Sequence, residues 1–397
     1  MISIAWWMVR ITLAICSITT IPALAEEPER LAQNEDRSQE LSAQAQKPQP
    51  PQWHYGGFVD LGYSLDFNFP ENHRFRNRGT TPRVNELDLN MGGVYLKKAA
   101  SEQSRWGAEL LGQGGQDSKA FGFGTNLPHV DGSDVLRHFG RANLSYLAPV
   151  GNGLTLQTGL FNSLIGYESL YAKDNFNYTR SWIADYSPYL MFGANAVYSF
   201  NDRWTGAVFV INEYFHLQNA NDLPSYGTQA IFTPGPSWTM KETIYYGPDQ
   251  SNTSLEFWRL FSDTIVEWKG KQVTIAGQYQ MGTQKNASVP GNPRLIYMGA
   301  ALHTRWQIGK PWYVALRPEL YSDPNGLMTG VDQFIWAVTA TAEYRLPYEW
   351  INSIFRLEYR HDNSTGSGGG FFKGRQNTLT SSQNLLIFSV IWTFDSR

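Results

Sequence analysis

From Trp53 to its end the chain alternates between apolar and polar positions. In QVTIAGQYQM, Val273, Ile275, Tyr279 and Met281 fall on one face, and Gln272, Thr274, Gln278 and Gln280 on the other. Successive side chains of a strand point to opposite sides, so this is a strand with one apolar and one polar face. QFIWAVTATAEYRLP repeats the pattern, with Phe334, Trp336, Val338 and Tyr344 opposed by Thr339, Thr341 and Glu343. PWYVALRPELY sets Trp312, Val314, Leu316 and Leu320 against Arg317, Glu319 and Tyr321. EWINSIFRLEYR sets Ile351, Phe355, Leu357 and Tyr359 against Asn352, Arg356, Glu358 and Arg360. Two segments are blurred: SYGTQAIF, and SWTMKETIYY, where Glu242 falls among the apolar positions.

A soluble β-sandwich or propeller would also alternate, with core on one side and solvent on the other. Three features point elsewhere. Aromatics gather at segment ends, as in Trp204, Trp238, Trp268, Trp306, Trp312, Trp350 and Trp392, where a membrane-interface girdle belongs. The segments run to about ten to thirteen residues, the length of a tilted strand crossing hydrocarbon rather than of a sandwich strand. The connections alternate in length. Short turns at APVGNG, SFNDRW, TPGPSW, EWKGKQ, QIGKPW and RLPYEW, with a longer one near KKAASEQS, separate polar connections around 67–83, 116–134, 162–187, 215–226, 247–255, 283–293, 322–332 and 361–383.

The fold class expected is therefore all-β: a transmembrane antiparallel β-barrel of about 16 strands (about 14 to 18), with short periplasmic turns and long extracellular loops. The last segment, NLLIFSVIWTFDSR, carries Leu386, Phe388, Val390, Trp392 and Phe394 on one face, which would make an aggregation-prone edge in a soluble sheet. The first, WHYGGFVDLGYSLDF, has a matching stripe in Val59, Leu61, Tyr63 and Leu65. Pairing the two closes the barrel and satisfies the backbone groups that hydrocarbon cannot.

Composition narrows this further. Charged residues are 17% of the 397 and aromatics 14%, yet mean hydropathy is negative, and beyond the first 25 residues no apolar run is long enough for a spanning helix. A net charge of −3 gives no footprint for nucleic acid. Residues 1–25 read as a secretory signal: Arg10 precedes ITLAICSITTIPALA, and Ala23-Leu24-Ala25 supplies the cleavage pattern. Cys16, the one cysteine, lies within it; Ile15 before it fits a lipoprotein signal poorly. Residues 26–52, rich in Glu, Gln, Ala and Pro, read as a flexible periplasmic linker, and 53–397 as the barrel.

The stretch TGLFNSLIGYESLYAKDNFNYTRSWIADYSPYLMFGANAVYSF resembles the OmpL-like β-barrel porin family, through GLFNSLIGYE, NFNYTRS at Asn175 to Ser181, and Pro188 and Gly193 opening the next strand. YYGPDQ near Gly247 is similar to a recurrent turn of that family. The strand pattern follows the family from about residue 55 to the end. The resemblance implies a channel in the outer membrane of a Gram-negative bacterium, exported through the periplasm, and names no solute. The aromatic last strand also resembles the signal read by the β-barrel assembly machinery, although Asp395, Ser396 and Arg397 follow Phe394.

No catalytic motif, cofactor fingerprint or metal-binding spacing occurs: H-E-x-x-H and G-x-S-x-G are absent, GFGTNLPH misses the dinucleotide spacing and DPNGLMTGVD misses the EF-hand. The chain is not expected to be an enzyme. About sixteen strands would leave an aqueous lumen, so a porin for passive diffusion of small hydrophilic solutes and ions is the expected function. Connection 162–187 holds the place where comparable barrels fold a loop inward. Its Glu168, Lys173, Asp174, Arg180 and Asp185 are expected to meet wall residues Arg137, Arg141, Arg305, Arg317, Arg356 and Arg360 and set a transverse field. Glu109, Glu319, Glu343 and Glu358 belong to the same inward set, and so mixed a set argues against steep ion selectivity. Alternatively these charges line a wet wall in pairs, or the barrel is plugged and acts as a structural or adhesive one through surface loops such as DNSTGSGGGFFKGRQNTLTSSQ. Small outward residues such as Ala194, Ala196, Ala340 and Ala342 are compatible with a homotrimer.

Overall fold

The computed structural model describes residues 53–119, 133–215, 217, 221, 223–250, 255–348 and 350–396. The expected signal (1–25) and linker (26–52) lie outside the described residues. The strands are β1 His54–Asp66, β2 Leu87–Lys98, β3 Trp106–Gly114, β4 Phe139–Ala148, β5 Leu154–Asn162 and β6 Leu190–Ser199. They continue as β7 Trp204–Ile211, β8 Ser225–Gly235, β9 Trp238–Pro248, β10 Trp258–Lys269, β11 Val273–Lys285 and β12 Arg294–Gly309. The last are β13 Trp312–Asp323, β14 Gln333–Pro347, β15 Asn352–Thr365, β16 Phe371–Lys373, β17 Thr378–Thr380 and β18 Ser382–Asp395.

All but β16 and β17 form one closed sixteen-stranded antiparallel barrel, each strand beside its sequence neighbour and β18 returning to β1. At the closure Val59, Leu61, Tyr63 and Leu65 stand in register with Trp392, Val390, Phe388 and Leu386, stripe against stripe. Every interior strand therefore has its backbone paired on both sides, the condition a hydrocarbon solvent imposes. β16 and β17 make a separate hairpin inside the last long connection, which is shorter than expected because β15 runs on to Thr365 beside Phe334.

Alternation dictates which way each side chain faces. Along β14, Phe334, Trp336 and Ala340 are exposed on the outer wall while Gln333, Thr339, Thr341 and Glu343 are buried inside. The blurred face of β9 resolves the same way: Trp238, Met240, Ile244 and Tyr246 are exposed outside, Thr243 and Tyr245 buried inside. Glu242 keeps the outward parity, halfway between Trp238 and Tyr246, and accepts hydrogen bonds from Ser262 Oγ (2.6 Å) and Thr264 Oγ1 on the outer face of β10. The wall is uneven: β7 has 8 residues and β12 has 16.

Inside, toward the long connections, an apolar cluster gathers wall residues Tyr245, Phe261, Tyr297, Tyr321 and Ile335 with Phe75, Ile165, Trp182, Tyr214 and Phe371 from four different long connections. Toward the short turns the inward residues Ser145, Gln157, Thr205, Thr239 and Thr274 are only half-buried. The interior thus has a packed half and a wetter half, with residues 163–189 between them.

Candidate functional site

The connection from β5 to β6 is organised by its own short-range bonds. Ser163 Oγ accepts from Ile165 N (3.0 Å), and Asn175 clasps the chain back onto Ser169 through two bonds of 2.7 and 2.8 Å. A single helical turn, Trp182–Asp185, is capped by Ser181 Oγ accepting from Ala184 N. With its local polar groups satisfied in this way, the segment can leave the rim and run across the interior.

Wall residues on many strands hold it there. Gly166 N donates to Asp263 on β10, Tyr167 Oη to Glu267 on β10, Ser187 Oγ to Gln280 on β11 and Asn177 Nδ2 to Thr341 on β14. Tyr178 Oη donates to Asp60 on β1, and Tyr171 Oη to Gln113 on β3. Glu358 on β15 accepts from the backbone N–H groups of Tyr178 and Thr179, and Asp362 accepts from Trp182 Nε1. Across the barrel, Gln229 on β8 donates to the Leu164 carbonyl.

The charged residues meet in pairs and small clusters of opposite charge. Glu168 lies 2.6 Å from Arg317 on β13, whose guanidinium also donates to the carbonyls of Thr179 and Arg180. Burial pushes the Glu168 carboxyl up, but Arg317, His303 and the hydrogen bonds from Ser181 together outweigh it and the group settles at about 2. Arg180, fully buried, reaches Asp117 at 3.0 Å. Burial pushes the Asp117 carboxyl up to about 7 against the pull of Arg180. Asp185 pairs with Arg78 of the β1–β2 connection at 2.9 Å. Lys173 pairs with its neighbour Asp174 at 2.7 Å. On the wall, Arg141 meets Glu109 at 2.9 Å, and Arg360 meets Glu319 and Asp362 at 3.2 and 2.8 Å. Arg356 donates to the carbonyls of Ala172 and Asn175 (2.7 and 2.6 Å) and, with Arg305, pairs with Glu343.

This differs from the expectation of opposed rows of free charge. Of the segment's five expected charges only Glu168 pairs with an expected wall arginine; Arg356 and Arg360 bind its backbone carbonyls instead. Arg137 precedes β4 rather than standing on the wall, and its carbonyl accepts from Gln113. Arg78, Asp117 and Asp362, unnoticed in the sequence, complete the network. Arg78 and Asp117 lie in connections with no periodicity to place them; Asp362 sits at an inward position of β15 that the parity of Arg356 and Arg360 would have indicated.

Comparison with known proteins accords with this architecture. Residues 52–394 match the family described as "Putative beta-barrel porin-2, OmpL-like". No curated protein matches the chain. The fold is similar to that of an anion-selective porin from Comamonas acidovorans, with a TM-score of 0.53 and 10% identity over 87% of this chain and 100% of that one. It is likewise similar to OmpT, an outer membrane protein of Vibrio cholerae described in a trimer form, with a TM-score of 0.51 and 9% identity over 88% and 100% of the two chains.

Proposed function

Because the chain belongs to this OmpL-like family of β-barrel porins and is an integral outer-membrane protein, we propose that it forms a channel for passive diffusion of small hydrophilic solutes and ions. In this reading the 162–187 region narrows the lumen. The observation that carries it is the division of the interior, with half-buried polar walls on the short-turn side of a segment tied to strands around the barrel. The lining of the narrow region is then Glu168, Lys173, Asp174, Arg180 and Asp185 with Arg141, Glu109, Arg305, Arg317, Glu319, Glu343, Arg356, Glu358 and Arg360, where close pairs and clusters of opposite charge replace an open transverse field.

The protein is also proposed to work as a homo-oligomer, a trimer by analogy with the Vibrio cholerae barrel. Support comes from Glu242, whose carboxylate would cost up to about 3 kcal/mol at the hydrocarbon midplane and less beside polar groups of a neighbouring copy. It lies beside the small outer residues Ala230 and Thr264 and near β7, where the wall is lowest.

The packed long-connection half favours a second reading, a plugged barrel acting through its surface loops. Single-channel recording in planar bilayers, on protein extracted from outer membranes, separates the two. Stepwise conductance is the expected result; silence from folded barrels would overturn the channel reading in favour of the second.

A further inference from the structure

On the inner wall beneath the crossing segment, three guanidinium groups converge on one carboxylate. Arg305 Nη2, Arg345 Nε and Arg356 Nε lie 2.7, 2.6 and 2.7 Å from the oxygens of Glu343. Even with Arg345 set aside, Arg305 and Arg356 carry one positive charge more than Glu343 neutralises. Glu109 and Arg141, by contrast, match charge for charge.

The three arginines are also held differently. Arg356 and Glu343 are sealed, and Arg356 gives its remaining N–H groups to backbone carbonyls of the crossing segment. Arg305 and Arg345 keep 12% and 19% of their side chains exposed, with their guanidinium carbons 4.2 and 5.2 Å from the centroid of the same Tyr313 ring. Arg305 Nε has no hydrogen-bond partner among the described residues. A surplus charge and two part-exposed guanidinium groups fixed over one aromatic plate suit the planar oxygens of a carboxylate or phosphate.

We propose that Arg305 and Arg345, with the sealed Arg356–Glu343 pair behind them, form an oxyanion site on the wetter half of the lumen, so that the solutes favoured in transit are small organic acids or phosphate-bearing molecules. This rests on the channel reading above. It also departs from the weak selectivity expected of a balanced lumen, because the accessible charges are not balanced. The bland alternative is a purely structural cluster bracing β12, β14 and β15.

Two measurements on protein extracted from outer membranes decide it. In planar bilayers under a KCl gradient, a unit charge within about 8 Å of the path enriches anions and depletes cations about twofold each, an anion-to-cation permeability ratio of about four. R305Q, which removes one unit of positive charge, should lower that ratio about fourfold, and R305K should keep it. In detergent, phosphorus NMR is used to titrate inorganic phosphate, with succinate titrated as competitor to separate the phosphate from the carboxylate preference. Saturable binding is expected, at least about tenfold weaker in R305Q, which loses a charge-assisted hydrogen bond. Should R305Q fail to fold, R345Q takes its place in both assays. Cation preference in the natural protein, or a ratio unmoved by R305Q, overturns the proposal. If folded protein is silent in bilayers, the channel reading falls, and the titration alone then judges the site: equal binding by R305Q, or none by the natural protein, sinks it.

Discussion

Replacing Glu168 by Gln tests how firmly the crossing segment is held. The carboxylate accepts from Arg317 Nη1 at 2.6 Å and from Ser181 N at 2.7 Å, and is 5% exposed. Its fall from an ordinary 4.5 to about 2 corresponds to about 3 kcal/mol at about 1.4 kcal/mol per unit. The group's folded value is depressed, so this contribution is fully present above about pH 4.5 and is lost as pH falls through about 2. The glutamine has the size of the acid and no charge, so E168Q should lack that stabilisation at every pH. Hydrogen-exchange mass spectrometry on peptides within 163–189 should then show exchange about 100-fold faster at pH 7, while β14 peptides stay protected. In the natural protein the same peptides should loosen between about pH 4.5 and 2, after correction for intrinsic rates, and in E168Q they should not. A change under about threefold in E168Q, or no acid loosening in the natural protein, would refute the claim that this pair latches the segment.

Asp117 predicts the opposite slope. Its folded value is raised to about 7, so its contribution is greatest below its ordinary 3.8 and is lost as pH rises toward 7; D117N should flatten exchange of residues 78–82 and 178–182 over that range. Gly193→Ala would place a Cβ 2.1 Å from the Val210 carbonyl oxygen and 2.7 Å from Ile211 Cα, both backbone atoms of β7, and should cost about 1–3 kcal/mol in urea unfolding from micelles. Gly277→Ala meets nothing within 4 Å and should stay within about 0.5 kcal/mol in the same assay. A photo-crosslinking residue at Ala230 should yield covalent multimers in outer membranes and one at Val390, on β18, none; multimers from Val390 alone would place the contact between copies elsewhere.

Parity is a strictly local rule, and it carried the strand faces far. It oriented β11, β13, β14 and β15 correctly and put Arg317, Arg356, Arg360, Glu319, Glu343 and Glu358 inside. It also marked Glu242 as out of place, although the meaning of the misfit depends on β10 supplying Ser262 and Thr264 from the next strand. Partners within the interior were beyond its reach. Arg78 and Asp185, or Asp117 and Arg180, come from different connections of irregular backbone, and no spacing rule links such positions. The small hairpin of β16 and β17 was hidden for a related reason, since strands of 3 residues are too short to show a period.

The seam between β1 and β18 bears on how the molecule is made. Tyr55 N bonds to Ser396 Oγ, a contact spanning 341 positions, and the whole β1–β18 ladder joins the earliest barrel strand synthesised to the last. Local hairpins can form in any order, but this ladder awaits the final dozen residues and bears the largest loop-closure entropy in the molecule. Until then the growing sheet carries two bare edges, each a template for another chain. Loss of β18 would therefore leave the first strand as exposed as β15.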